Sequence, residues 1–174
     1  MSALLLTNLE HERDTSQKSK YVNELKHWVS TISPDHLITL TFRNNSTGEK
    51  YAIDSLNHWL KMVNRSIYGR RSKKRMVVLP FIERNSNNGV HFHLMIRKPI
   101  SERQVNVKDI LKEKWLRLKG TGYATFNAKS ENGTEEWFKP ITDQNVLVDY
   151  LSKQTDNQKQ DSLLVELINT KETP

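Results

Sequence analysis

One stretch of strictly alternating side chains, Val90 to Arg97, constrains the fold of this chain more than any other feature. Apolar residues hold one set of alternate positions and more polar residues hold the other: Val90, Phe92, Leu94 and Ile96 against His91, His93, Met95 and Arg97. Because successive side chains of a strand point to opposite faces, this pattern predicts a β-strand that carries both histidines on one face. The Cα atoms of His91 and His93 would lie roughly 6–7 Å apart, a separation at which two imidazoles can bind one metal ion.

A carboxylate is expected to join the two histidines. The run from Val77 to Glu83 is typical of a strand, and the run from Asn85 to Gly89 is a dense turn signal. A hairpin across that turn would place Glu83 directly opposite His91, with Cβ atoms roughly 4.5–5.5 Å apart. Glu83, His91 and His93 are therefore predicted to form a metal site. A register shift of one residue would turn Glu83 to the other face, and a His-x-His pair alone is more often an ordinary half-exposed pair.

Hydrophobic periodicity predicts the remaining elements. Before the hairpin, it predicts a helix that buries Val22, Leu25, Val29 and Ile32, a strand from Leu37 to Phe42 and a helix that carries Ile53 to Ile67. After the hairpin, it predicts a helix from Val107 to Leu118 and short strands from Tyr123 to Ala128 and from Trp137 to Ile141. Two further helices follow, one from about Asp143 to Lys153 and a last one that carries Leu163 to Ile168.

This order of elements predicts an α+β fold. Helices would pack on one face of a central antiparallel sheet and leave the other face open. The open face would carry the polar strand residues Thr39, Thr41, Glu83, His91 and His93. Since no repeat or long linker marks a second unit, we expect residues 1–174 to form one domain with flexible termini.

Charge and composition narrow the classes of partner. The chain has 27 Lys and Arg residues against 20 Asp and Glu residues, a formal charge of +7, which favours a polyanion such as nucleic acid. The densest basic run is Arg70, Arg71, Ser72, Lys73, Lys74 and Arg75, which is either a DNA-binding segment or a solvated connector. With no cysteine, disulfides and thiolate metal sites are excluded. A glycine-rich phosphate loop is also missing, so no nucleotide cofactor is expected. The short apolar run Leu4 to Leu6 is neither a signal peptide nor a membrane span, which favours a cytoplasmic protein.

A tyrosine near the C-terminus forms a second candidate site. Tyr150 and Lys153 are three residues apart, so on a helix they share a face. Taken alone, the pair is more typical of an amphipathic tyrosine beside a surface lysine. Val146, Leu147 and Leu151 supply enough apolar surface to dock this helix without Tyr150.

Together, three ordered motifs resemble those of the HUH (His-hydrophobe-His) endonucleases, specifically the single-tyrosine initiators of rolling-circle replication. Ile38-Thr39-Leu40-Thr41-Phe42 is similar to the first strand motif of that family. His91-Phe92-His93 is similar to its metal motif, with Glu83 at the place of the third ligand, and Tyr150-Leu151-Ser152-Lys153 is similar to its Tyr-x-x-Lys motif. The resemblance spans about residues 37–157. The spacing between the second and third motifs is longer than in compact viral members, and it leaves the region from Gly120 to Glu135 unassigned.

The resemblance implies both a fold and an activity. The fold would be an RNA-recognition-motif-like antiparallel sheet, with the metal on its open face and Tyr150 approaching from a neighbouring helix. The activity would be the nicking and joining of single-stranded or hairpin DNA at a replication origin through a 5′-phosphotyrosine intermediate. Tyr150 would be the nucleophile, and Lys153 would favour the phenolate or hold a phosphate. Mn²⁺ or Mg²⁺ would suit the ligands.

Further implications concern DNA contacts and partners. Residues expected to bind DNA are Thr39, Thr41, Arg70, Arg71, Lys73, Lys74, Arg75 and Arg97. A helicase would have to be a separate protein, and a monomer or weak dimer is expected. The leading interpretation is a plasmid or phage replication initiator. Three alternatives remain: a relaxase or transposase of a mobile element, a non-catalytic DNA-binding regulator on the same fold, and a metal-dependent hydrolase. The hydrolase gives Tyr150 no role.

Overall fold

The fold of this chain is seen in a computed structural model. It describes residues 19–44, 47–84, 89–99, 106–122, 126, 135–152 and 162–172. Its elements, in chain order, are helix α1 (19–32), strand β1 (His36–Leu40), helix α2 (Glu49–Tyr68), strand β2 (Val78–Arg84), strand β3 (Val90–Ile96), helix α3 (Val107–Leu116), strand β4 (Phe138–Pro140), helix α4 (Gln144–Ser152) and a 3-10 turn (Val165–Leu167).

The strands form one antiparallel sheet in the order β2-β3-β1-β4. The predicted α+β class with an antiparallel sheet and packed helices is therefore confirmed. Strand β3 has a neighbour on each side, and all of its residues except His91 are buried. The predicted strand from Tyr123 to Ala128 lies outside the described residues, apart from Phe126.

Helices α2 and α3 cover one face of the sheet. The alternating residues Ile38, Leu40, Phe92 and Leu94 point into this layer and join Trp59 and Trp115 in a single apolar cluster. The two indoles meet edge to face with ring centroids 6.0 Å apart, and the Trp59 indole N–H donates to the Leu111 carbonyl at 3.0 Å. These buried aromatic contacts hold α2 and α3 to the sheet.

The second face is covered in part, a feature that the expectation of one open face did not include. Leu79, Phe81 and Met95 lie on this face and form a second apolar cluster with residues of α1 and α4, among them Val29 and Leu151. The physical reason is that this face is polar only toward one end of the sheet, where Glu83 and His91 lie. Its other end is apolar and has to be buried.

The predicted last helix is wrong. Residues 162–169 instead run beside β2, with isolated antiparallel bridges between Leu163 and Phe81 and between Asn169 and Val78. The Leu164 N–H donates to the Pro80 carbonyl at 2.9 Å. Pro80 lacks an N–H, and its open side faces this segment rather than β3, so the β2–β3 ladder keeps all of its bonds. Only Val165–Leu167 turns, as one 3-10 segment.

Candidate metal centre and the tyrosine beside it

The register of the β2–β3 pair decides whether the predicted cluster can form. Glu83 is paired with His91, and Phe81 is paired with His93. Because directly opposed residues share a face, Glu83, His91 and His93 lie together. The predicted register is confirmed, and the one-residue shift that would have separated Glu83 from the histidines does not occur. Asn85 to Asn88 lie outside the described residues, while Gly89 is buried at the start of β3.

The three side chains converge on one point, and we name them the triad. Nε2 of His91 and Nε2 of His93 lie 2.9 and 2.8 Å from the same oxygen, Oε2 of Glu83. All ligand atoms lie within 4.8 Å of one another, so the triad could hold a metal ion. Two imidazoles and a carboxylate form a donor set that binds divalent cations and leaves coordination positions for substrate.

Electrostatics favour the ligating protonation states of Glu83 and His91. The hydrogen bond with His93 is the largest influence on the pKa of Glu83 and lowers it, so the carboxylate stays ionised. Burial is the largest influence on the pKa of His91 and also lowers it, with the neighbouring His93 acting in the same direction. A lowered pKa keeps this imidazole neutral near neutral pH. An ionised carboxylate and a neutral imidazole are the forms that bind a metal.

Thr39 is the neighbour of His93 on strand β1. The two residues are paired in the β1–β3 ladder, and Oγ1 of Thr39 lies 3.2 Å from Nδ1 of His93. If Nε2 carries the proton and donates it to Glu83, Nδ1 accepts from the Thr39 hydroxyl. If a metal ion took the place of the Nε2 proton, Nδ1–H would donate to Thr39 instead. Hydrogen bonds of this kind commonly orient metal-binding histidines. The sequence predicts a DNA contact for Thr39 but not this contact, because the two residues are 54 positions apart.

Tyr150 lies beside the triad. Its ring centroid is 6.1 Å from that of His93, and the two rings meet edge to face at 81°. The side chain is 52% exposed, so its hydroxyl is accessible to a large substrate. The hydroxyls of Tyr51 and Tyr68 instead donate to the Lys119 carbonyl and to the Glu172 carboxylate. Tyr150 therefore combines an exposed side chain with an edge-to-face contact to a triad residue.

Helix α4 is held in place from several directions. Its buried residues Val148 and Leu151 pack in the apolar cluster of the second face. Asp149, next to Tyr150, pairs with Lys26 of α1 at 2.7 Å. The Asp143 carboxylate accepts the N–H of Asn145 at 2.9 Å and caps the helix. Lys153 lies outside the described residues.

Lys26 is a contributor to the site that the sequence does not reveal. Its ammonium fixes the residue that precedes Tyr150, and 123 positions separate the two partners. A lysine on an amphipathic helix carries no local signal of such a contact. Only the packing of α1 beside α4 shows it.

The residues predicted to bind DNA do not all lie near the triad. The run from Arg70 to Arg75 connects α2 to β2 and enters the sheet at the Val78 end. Glu83 is five residues further along β2, which is about 17 Å at a strand rise of roughly 3.3 Å per residue. Arg97 follows the same end of β3, and its guanidinium donates to the carbonyl of Ile32. Thr41, also predicted to bind DNA, follows β1; its backbone carbonyl accepts the backbone N–H of Gly122 and the indole N–H of Trp115.

Comparisons of the chain with protein-family models, curated proteins and solved structures find no match. Within the described ranges, no helix combines the length and the apolar character needed to cross a membrane. The function is therefore inferred from the geometry of the site itself.

Proposed function

We propose that this protein is a metal-dependent endonuclease that nicks and rejoins single-stranded DNA with Tyr150 as its nucleophile. One observation carries the proposal: the exposed ring of Tyr150 contacts the ring of His93 edge to face. The Nε2 atoms of His93 and His91 both lie against the Glu83 carboxylate. This places a potential nucleophile beside three residues that could hold a cation. A simple metal-dependent hydrolase would have no use for such a tyrosine.

The residues divide the chemistry between them. The phenolic oxygen of Tyr150 attacks the scissile phosphorus, a phosphorus–oxygen bond to tyrosine forms, and the bond to the 3′ oxygen breaks. The phenol gives up its proton as the leaving 3′ oxygen gains one, so the products are a 5′-phosphotyrosine ester and a 3′-hydroxyl. Glu83, His91 and His93 would hold the cation, for which Mn²⁺ or Mg²⁺ is our choice. When bound, it supplies charge neutralisation at the phosphate.

A tyrosine nucleophile explains why such an enzyme would avoid simple hydrolysis. The ester to Tyr150 keeps the energy of the phosphodiester, so a 3′-hydroxyl can reverse the reaction and rejoin strands without a nucleotide cofactor. The proposed reaction uses one nucleophile, Tyr150, beside the triad. One site therefore performs one transfer, and a second transfer needs another subunit or another encounter.

Replication initiation is the biological role that we favour. The order of the strand motif, the His-x-His motif and the tyrosine resembles that of rolling-circle initiators of plasmids and phages. The substrate would be a single-stranded or hairpin origin in the cytoplasm, opened by a separate helicase. A relaxase or a transposase would use the same site, and the structure offers no observation that favours either.

The first prediction tests the nucleophile. Tyr150→Phe removes one oxygen from an exposed ring, so stability should be unchanged, whereas covalent attachment to DNA should fall to background. The wild-type protein and the variant are incubated with Mn²⁺ and single-stranded oligonucleotides of mixed sequence labelled at the 3′ end. The label follows the 5′-phosphate onto the protein, and a denaturing gel shows the adduct as a shifted band.

Tyr51→Phe is the matched control, because Tyr51 is also exposed but lies on α2, where its hydroxyl donates to the Lys119 carbonyl. This variant should form the adduct at the wild-type rate. An adduct that persists in Tyr150→Phe would assign the nucleophile to another residue. Cleavage by the wild type without any adduct would make water the nucleophile. Binding without cleavage would favour the regulator. Each of these three results rejects the proposal.

A further inference from the structure

A basic pocket lies at the C-terminal end of α2, away from the triad. It has a volume of about 230 Å³. Its lining consists of four cationic and two neutral polar side chains: Lys61, Asn64, Arg65, Arg70, Ser72 and Arg75. We call this group the α2 pocket. Two of the cationic residues, Lys61 and Arg65, lie on α2 and are not part of the basic run that the sequence singles out.

The backbone around the α2 pocket is well organised. Lys61 and Arg65 are four residues apart on α2 and therefore project from one face of the helix. Gly69 ends the helix with φ 94°, a conformation that favours glycine, and turns the chain back toward that face. The guanidinium of Arg75 donates to the carbonyls of Lys73 and Lys74 at 3.3 and 3.1 Å.

A buried amide anchors the other side of the pocket. Asn64 is 8% exposed, and its side-chain oxygen accepts the N–H of Met76 at 2.7 Å. This bond ties the loop that follows α2 to the helix itself. The cationic side chains are therefore presented by a fixed loop and a helix rather than by independent surface segments.

The charge of the α2 pocket is not balanced by acids. Its lining contains no carboxylate, and within the described ranges Lys61, Arg65 and Arg70 form no ion pair. Glu166 lines the adjoining depression, which shares Lys61 and Arg75 with the pocket. Like charges that the fold brings together raise the free energy of the folded state unless an anion neutralises them.

We propose that the α2 pocket binds a backbone phosphate of a nucleic acid strand. Guanidinium groups match phosphate oxygens with paired N–H donors, and the amide of Asn64 and the hydroxyl of Ser72 offer further polar groups. A polyanion is favoured over a small free anion because the whole chain carries a formal charge of +7. Binding here requires no cleavage, so the proposal goes beyond the nicking activity.

This phosphate is not the one that would be cut. The α2 pocket adjoins Met76, while Glu83 lies toward the other end of β2. The length of β2 alone separates them by about 17 Å. At roughly 3.4 Å per stacked nucleotide, a strand that reaches both places needs more than about five nucleotides. A short strand can reach only one of the two places, so we expect the pocket to add more affinity for long strands than for very short ones.

The second prediction compares two variants that remove the same charge. Lys61→Gln with Arg70→Gln removes two pocket cations, and the control Lys50→Gln with Lys119→Gln removes two exposed cations that lie elsewhere and do not line the pocket. Affinity of the full chain for 20-nucleotide oligothymidylate is measured by fluorescence anisotropy over a range of salt concentrations. The pocket variant should lower the log–log salt slope by about 0.7 for each phosphate that the protein no longer neutralises.

The control variant should retain most of the slope, and the pocket variant should lose less affinity for four-nucleotide oligothymidylate than for the long strand. Equal reductions with the long strand would mean that general surface charge is responsible and would overturn the proposal. Poly-glutamate serves as a competing polyanion. If it bound the wild type as tightly as the long strand does, and if this binding required the pocket cations, the pocket would be assigned to acidic peptides and the proposal would be overturned. Neither measurement involves a covalent adduct, so the two proposals can fail separately.

Discussion

His93 is the residue at which the parts of the candidate site meet. One ring nitrogen faces Glu83 at 2.8 Å, the other lies 3.2 Å from the hydroxyl of Thr39, and the ring lies edge to face with Tyr150. The side chain is only 11% exposed. A histidine fixed on every side can present one nitrogen in a defined direction, which is the property that a metal ligand next to a nucleophile requires.

The third prediction distinguishes a metal ligand, Glu83, from Thr39, a residue that only orients the ligand His93. Glu83→Gln removes the carboxylate of the triad and should abolish measurable Mn²⁺ binding in calorimetric titration. Thr39→Val keeps the shape of the side chain but removes the partner of His93, so affinity should fall by about 10–100-fold. Thr31→Val, on the exposed side of α1, should bind Mn²⁺ like the wild type. Full affinity in Thr39→Val would show that His93 needs no such partner.

For the individual residues, the sequence predicted the triad but not the contact between Thr39 and His93 that supports it. Alternation and the turn signal placed Glu83, His91 and His93 on one face, because a hairpin is a local structure whose register follows from short-range pattern. The contact of Thr39 with His93 depends on which strand becomes the neighbour of β3. That choice is made by the packing of the whole domain.

Among the elements, β2 is fastened to α2 beside the triad. Arg84, the last residue of β2, donates two hydrogen bonds to the Glu49 carboxylate at 2.8 and 2.6 Å. Glu49 is the first residue of α2, so its charge also favours the helix N-terminus. Because Arg84 follows Glu83 directly, this ion pair fixes the strand end that carries a triad residue.

The fourth prediction concerns the pH dependence of this ion pair. The hydrogen bond from Arg84 lowers the pKa of Glu49 below its ordinary value. A carboxyl with a lowered pKa in the folded state stabilises the fold above its unfolded pKa of about 4.3, and this stabilisation disappears as the pH falls through the folded value. Glu49→Gln should therefore cost about 1 kcal/mol at pH 7 and nearly nothing at very low pH.

Urea denaturation at several pH values measures this difference. Asp54→Asn is the control, since Asp54 is an exposed acid on the same helix that forms no ion pair with any described residue. A cycle with Arg84→Gln separates the ion pair from the effect of Glu49 on the helix terminus. A cost that stays constant from neutral to very low pH would contradict the predicted role of the carboxylate charge.

For the whole molecule, the arrangement of helices determines how much of the site is accessible. Helices α1 and α4 cover the apolar end of the second face, while at the triad end the Glu83 and His91 side chains keep 17% and 19% exposure and Tyr150 keeps 52%. The sequence predicted both helices, but helical periodicity shows only that a helix has an apolar side. It does not show which face of the sheet that side covers, so the placement of Tyr150 beside His93 follows from the structure.

The C-terminal segment joins the two layers of the molecule. Leu164 is 6% exposed and belongs to the cluster under α2 and α3, while its neighbour Leu163 packs against the cluster of α1 and α4. Adjacent apolar residues that face opposite layers are a property of extended chain. The sequence Leu163-Leu164-Val165-Glu166-Leu167-Ile168 also satisfies helical spacing, and this ambiguity of a short apolar run explains the wrong helix prediction.

The fifth prediction tests this segment as part of the core. Leu164→Ala deletes buried methyl groups and should lower the free energy of unfolding by about 2–3 kcal/mol. For a chain of this length, that corresponds to a fall in Tm of roughly 5–10 °C. Val165→Ala changes a side chain that is 66% exposed, so its cost should stay within about 0.5 kcal/mol. If calorimetry gave equal small changes for both variants, the segment would be a surface strand that the fold does not need, and β2 would be a free edge available for pairing with another chain.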